Sequence, residues 1–233
     1  MERIISPTAA ARLENRAPLA LDPSASIAIK RDVHDFEVAA EAADFARAFR
    51  AVVTDPASRF GLIRVKRPAD RMGREFEVGE RFQGCFSIEL ALAGALDGRS
   101  PTAARWVTNA LTLAPARRAI AWLEDELLSN YAEIVRIDLA PAPGNPYVLE
   151  YRYLAGTPIA GSSTFTIEAL GPGRCRVRQV FAYQEVGGVA LGTFQRFGLK
   201  FHDQVVQREI EQAAELCGAR VLSSTIPDAY GAL

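Results

Sequence analysis

Two hydrophobic periods alternate along the chain from about residue 32. Val33-His34-Asp35-Phe36-Glu37-Val38 repeats at every second position, the mark of a strand with one buried face. Ala42, Phe45, Ala46, Phe49, Val52 and Val53 then recur at steps of three and four, which predicts an amphipathic helix over 39–53. Pro56 sets its limit, because the residue before a proline avoids the helical region. A short strand is expected at Phe60–Val65, then a polar turn region over Arg67–Arg74. Glu75–Leu90 alternates throughout and reads as one long strand, with Phe76, Val78, Glu80, Phe82, Gly84, Phe86, Ile88 and Leu90 on one face. A bulge at Gly79 or Gly84 would move everything beyond it to the other face.

The strand pattern breaks over residues 97–130. Ser100-Pro101 and Pro115 each open a helical stretch. Strands resume at Tyr131–Leu139, followed by a loop rich in proline and glycine over 141–146. Tyr147–Leu154, Gly161–Leu170 and Cys175–Glu185 then follow with short connections, so they must pair as antiparallel neighbours. Val189–Cys217 is the longest helical signal. Phe194, Phe197, Phe201, Val205 and Arg208 step along it, with Ile210, Ala213 and Leu216 continuing the stripe. Gly218 is placed as a C-terminal cap, and the tail from Ala219 is expected to lie on the surface. Residues 1–31 read as an N-terminal arm and 32–233 as a single domain, with no repeat or linker between them.

Composition narrows the partners. The 233 residues carry 27 Lys+Arg against 28 Asp+Glu, which leaves no basic surplus for nucleic acid. No run approaches 18 apolar residues and no basic start precedes an apolar stretch, so neither stable membrane insertion nor a secretory leader is expected. Cys85, Cys175 and Cys217 match no disulfide framework or zinc spacing, which points to a reducing cytoplasm. Lysine occurs only at 30, 66 and 200, a usage associated with bacterial genomes rich in G and C.

The order of elements resembles the START-like (SRPBCC) superfamily, which includes Bet v 1-type proteins and polyketide cyclases. The Gly79-Glu80-Arg81-Phe82 strand, the Gly161–Glu185 hairpin and the Phe194–Cys217 helix carry the likeness, over roughly residues 32–217. It implies an α+β helix-grip fold, a curved antiparallel sheet wrapped around a long C-terminal helix. It also implies a cavity between them for a hydrophobic or amphiphilic small molecule, lipid- or polyketide-like. The helices at about 101–129 depart from that pattern and would form a lid or a homodimer surface.

The faces so assigned nominate cavity-lining residues. From the strands come His34, Phe82, Phe86, Tyr151, Tyr153 and Phe165, then Gln179, Phe181 and Tyr183. From the long helix come Phe197 and Phe201. For each one, plain core packing competes with pocket lining, and an inward Glu80 or Gln179 needs a hydrogen-bond partner. His34 and His202 are the candidate proton carriers, although each is more simply a satisfied histidine. No HxH, HExxH, GxSxG or phosphate-loop pattern occurs, so no metal or cofactor is expected and no catalytic residue is assigned. Arg67, Arg71, Arg74 and Arg81 could meet an anionic headgroup but read first as a solvated face, and Cys85 and Cys175 as small core residues. Three functions compete: a carrier of an apolar small molecule, a cyclase or aromatase using the same cavity, and a protein-interaction module without a ligand.

Overall fold

Alternation at the strand period becomes one antiparallel sheet, and the two strongest helical stripes pack on one of its faces. The computed structural model describes residues 5, 7–54, 63–86, 115, 119–120, 122, 129–138, 144–157, 159–186 and 199–226. The strands are β1 (Lys30–Val38), β2 (Ile63–Lys66), β3 (Arg81–Phe86), β4 (Ser129–Asp138), β5 (Tyr147–Tyr153), β6 (Ile159–Gly171), β7 (Arg174–Glu185) and β8 (Val221–Thr225). The helices are α1 (Pro7–Glu14), α2 (Ala42–Thr54) and α3 (Leu199–Leu216). The sheet order is β2-β3-β4-β5-β6-β7-β1-β8, so the first strand is slotted between the last two. Every pairing between these strands is antiparallel, and the register shifts at Ile134/Arg136, Ala169/Gly171 and Glu37/Val38. This is the helix-grip arrangement, a curved sheet with a long C-terminal helix against it.

Register aligns the buried side chains in rows. Phe36 lies opposite Val177, which lies opposite Ile167, while Phe165 meets Leu149. Those residues form one core with Phe45 and Phe49 of α2 and with Val205, Val206, Ile210, Ala213 and Ala214 of α3. Phe49 and Phe165 meet ring to ring at 5.2 Å. Burying one such side chain contributes about 1.5–3 kcal/mol. Cys85 and Cys175 are fully buried, as small core residues should be.

The end of α3 follows the glycine signal. Gly218 has a φ of 69°, its N–H donates to the carbonyl of Glu215, and the Ala219 N–H donates to that of Ala214. This pair of bonds is the Schellman motif. Residues 7–14 are helical, and Ile5 and Leu13 bury against Leu154. No helix among the described residues is long and apolar enough to cross a membrane.

Four local expectations change. The strand expected from Glu75 begins only at Arg81, because Gly79 turns the chain at a φ of 86° and leaves Val78 exposed. The tail is not merely laid on the surface: Val221–Thr225 adds an edge strand to β1. The stripe of α3 runs through Val205, Val206, Ile210, Ala213 and Ala214, leaving Arg208 and Leu216 exposed. The arginine cluster is not one solvated face. Arg67 is buried and gripped at both ends of its guanidinium by Glu80, at 2.5 and 2.9 Å, while Arg81 donates to carbonyls at the end of α1.

Candidate functional site

Among the described residues, polar side chains gather on the inner face where β1, β7, β6 and β5 lie beneath α3. His34 of β1 sits directly opposite Gln179 of β7, and Asp32 opposite Phe181. Phe181 faces Ser163 of β6, which in turn faces Tyr151 of β5. Alternation therefore brings Asp32, His34, Gln179, Ser163 and Tyr151 to the same side across four strands. From above, α3 contributes His202, Asp203 and Glu209.

Two hydrogen-bonded groups result. In the first, His34 Nε2 lies 2.7 Å from Asp203 Oδ1, and the ring centroids of His34 and His202 are 5.4 Å apart. His202 stacks on Phe181 at 4.2 Å, and Phe181 stacks on Tyr183 at 4.5 Å. The Gln179 amide nitrogen donates to Ser163 Oγ at 2.6 Å and stands 3.1 Å from His202 Nε2. In the second group, the Tyr151 hydroxyl is hydrogen-bonded with Ser163 and Tyr153, and Glu209 lies close enough to act on both phenols.

Burial sets the proton affinities. The Glu209 carboxyl is pushed up to about 8 by desolvation. Tyr151 is pushed up to about 12, first by burial and then by Glu209, with the hydrogen bonds from Ser163 and Tyr153 pulling the other way. Tyr153 is raised well above its ordinary value by burial, with Tyr151 adding to it. Burial lowers His202, against the pull of Asp203. Burial alone would raise Asp203, but the hydrogen-bonded His34 and the nearby His202 imidazole outweigh it and hold the carboxyl low. Asp32 is raised by burial and by Asp203, with the histidines and the Tyr183 hydroxyl opposing.

The site also concentrates unsatisfied groups. Five buried polar side-chain atoms among the described residues lack a hydrogen-bond partner, and three of them are His34 Nδ1, His202 Nδ1 and Gln179 Oε1. Native structures carry few such atoms, so their clustering marks a place built for something besides packing.

Of the nominated lining residues, His34, Gln179, Phe181, Tyr183, Tyr151 and Tyr153 come together in this patch. Phe165 instead packs under α2 against Phe49, and Phe82 meets Phe76 and Tyr151 farther along the sheet. Phe197 and the side chains of Phe86 and Phe201 lie outside the described residues, as does most of 101–129. Asp32, Ser163, Asp203 and Glu209 were not singled out from sequence. Glu209 stands seven residues after His202, two helical turns along the same face, and that spacing was the available signal.

A pocket of about 300 Å³ lies elsewhere, lined by Glu14, Asp70, Arg71, Glu77, Glu80 and Arg81 among others. Several of its charges are already paired, Arg71 with Glu77 and Glu80 with Arg67.

No family model matches the chain, and no curated protein matches it. Among solved structures it is similar to a norcoclaurine synthase point mutant of Thalictrum flavum in complex with a transition-state analogue. That match has 12% identity and a TM-score of 0.49, covering 82% of this chain and 98% of that one. It is also similar to the Zhui aromatase/cyclase of Streptomyces sp. R1128, with 13% identity and a TM-score of 0.48, covering 80% and 94%. Both likenesses concern the fold.

Proposed function

We propose that the protein binds a small molecule with a hydrophobic body and a hydrogen-bonding head, lipid- or polyketide-like, between the sheet and α3. One observation carries this reading. Tyr151, His202 and Glu209 are embedded deeply enough for desolvation to move their proton affinities, yet each keeps accessible surface. Groups with both properties stand where a molecule entering between the sheet and α3 would meet them. Aromatic walls with a few placed polar atoms are what an amphiphile's pocket needs. The test is native mass spectrometry of protein purified without detergent, followed by organic extraction. A co-purifying apolar molecule whose binding weakens in Tyr151→Phe supports the reading. Repeated absence, together with failure to bind a fluorescent fatty-acid probe, overturns it.

Glu209 favours a second reading, in which the bound molecule is also transformed. A carboxyl that stays protonated near neutrality can donate to a carbonyl oxygen, as a general acid does. In a cyclase-type aldol step, a proton leaves the carbon beside one carbonyl and that carbon bonds to a second carbonyl carbon. The second carbonyl oxygen takes up a proton. Glu209 with Tyr151 would supply that proton, and a basic group at the same site would accept the first. Glu209→Gln would then lower turnover of a poly-β-ketone substrate while leaving its binding near wild type. Unchanged turnover removes the residue from the chemistry.

A further inference from the structure

We infer that His34, His202 and Asp203 form a binding site for one divalent transition-metal ion. Each offers one ligating atom, and the three atoms lie within 4.8 Å of one another. His34 Nε2 stands 2.7 Å from Asp203 Oδ1, and His202 Nδ1 stands 3.9 Å from the same oxygen. Metal–ligand bonds of about 2.0–2.2 Å at tetrahedral angles separate neighbouring donors by about 3.3 Å. The observed separations straddle that value, so small side-chain rotations close the site. The burial is graded in the right sense. His34 is fully buried, while the side chains of His202 and Asp203 retain 13% and 16% exposure, which leaves an approach from one side.

The unsatisfied atoms supply a second, independent observation. His202 Nδ1 has no hydrogen-bond partner, and neither does Gln179 Oε1, although Gln179 is completely buried. As placed, the Gln179 amide nitrogen points at His202 Nε2, which leaves the proton of a neutral ring on Nδ1. Turning that amide end for end puts Oε1 where the nitrogen now stands, between Ser163 Oγ and His202 Nε2. The His202 ring then donates from Nε2 and presents a bare Nδ1 lone pair toward Asp203. A ligating histidine characteristically donates its other N–H to an oxygen in this way. Asp32, two residues before His34 on the same face, brings a second carboxylate near the three ligands. A dication would offset the charges that the two acids bring together.

Two imidazoles and one carboxylate with a position left open suit Zn²⁺, Fe²⁺ or Co²⁺ rather than the hard cations, which prefer an all-oxygen set. Motif spacing could not find these ligands, because His34 lies on the first strand and the other two on the last helix.

The test uses the full chain, stripped with a chelator and titrated with Co²⁺. One equivalent should bind with the visible ligand-field bands of a four- or five-coordinate ion, and Zn²⁺ should displace it while excess Mg²⁺ does not. His202→Ala and Asp203→Ala should weaken binding about a hundredfold or more, and Gln179→Leu about tenfold to a hundredfold. Glu209→Gln should leave it unchanged. No stoichiometric binding by the wild-type chain overturns the inference. So does displacement by Mg²⁺, or full-strength binding by Asp203→Ala that is folded by circular dichroism. Because the readout is the metal itself, failure here leaves the proposal of an apolar ligand standing.

Discussion

His34 Nε2 lies 2.7 Å from Asp203 Oδ1, a contact that joins the first strand to the long C-terminal helix across 169 sequence positions. Together with the 3.1 Å approach of Gln179 to His202, it is one of the polar ties between α3 and the sheet. Cutting it leaves His34 buried, with neither ring nitrogen partnered.

Asp203→Ala should therefore destabilise the metal-free chain by about 1–3 kcal/mol, the usual cost of orphaning a buried hydrogen-bonding group. Asp203→Asn keeps an acceptor and should lose less. Denaturant unfolding in the presence of a chelator measures both. Equal stability of Asp203→Ala and wild type would mean that the contact contributes nothing to folding.

Glu209 sets a pH dependence. Burial pushes its carboxyl up to about 8 in the folded chain, well above its ordinary value of 4.5. A raised carboxyl binds its proton more tightly when folded, so its contribution is fully present below about 4.5. It is lost as pH rises toward 8 and is flat above that. Glu209→Gln should lose this slope and gain stability relative to wild type at pH 9. Melting temperatures of both proteins from pH 5 to 9 check this, and parallel curves would refute it.

Arg67 and Glu80 form a bidentate pair with both side chains buried, and Arg67 also donates to the carbonyls of Arg74 and Glu75. Glu80→Ala leaves that guanidinium without its carboxylate and should cost about 3–5 kcal/mol. Replacing both residues with apolar ones of similar volume, Arg67→Met with Glu80→Leu, should recover a large part of the loss. Chemical denaturation of the single and double variants measures the coupling, and additive losses would refute it.

Two glycines should respond differently to alanine. Gly161 has a φ of 123°, and an added Cβ would stand 2.0 Å from the Ala182 carbonyl oxygen on the paired strand. Gly161→Ala should cost about 3 kcal/mol or more, since neither backbone can move without breaking the ladder. Gly173 has a φ of 68° with nothing near the new atom, so Gly173→Ala should cost only the left-handed strain, about 1–2 kcal/mol. Thermal melts that rank the two the other way would contradict this.

The period-two pattern and the short connections were enough to place β5 to β7 as an antiparallel run, and Phe45 and Phe49 enough to orient α2. Glu80 was legible only as an inward polar residue in need of a partner. Gly79 misled, because a glycine inside an alternating run looks the same whether it bulges a strand or ends it. Val221–Thr225 was passed over because an exposed edge strand carries little alternation.

Local hydrophobic periodicity thus determined which segments become strands and helices and which faces they bury, since that information lies within a few residues of each position. Sequence alone also placed His34, Gln179 and Tyr151 on inward faces. What it could not decide is who meets whom across the sheet and helix. His34 finds Asp203, Gln179 stands between Ser163 and His202, and Glu209 settles over two tyrosines only because α3 lies along the sheet at one particular register. That register is chosen by the packing of Val206, Ile210 and Ala213 with Phe49 and Phe165 in one core. Distances of a few ångströms between groups on different elements, as far as 169 residues apart, are products of that packing, and no local pattern encodes them.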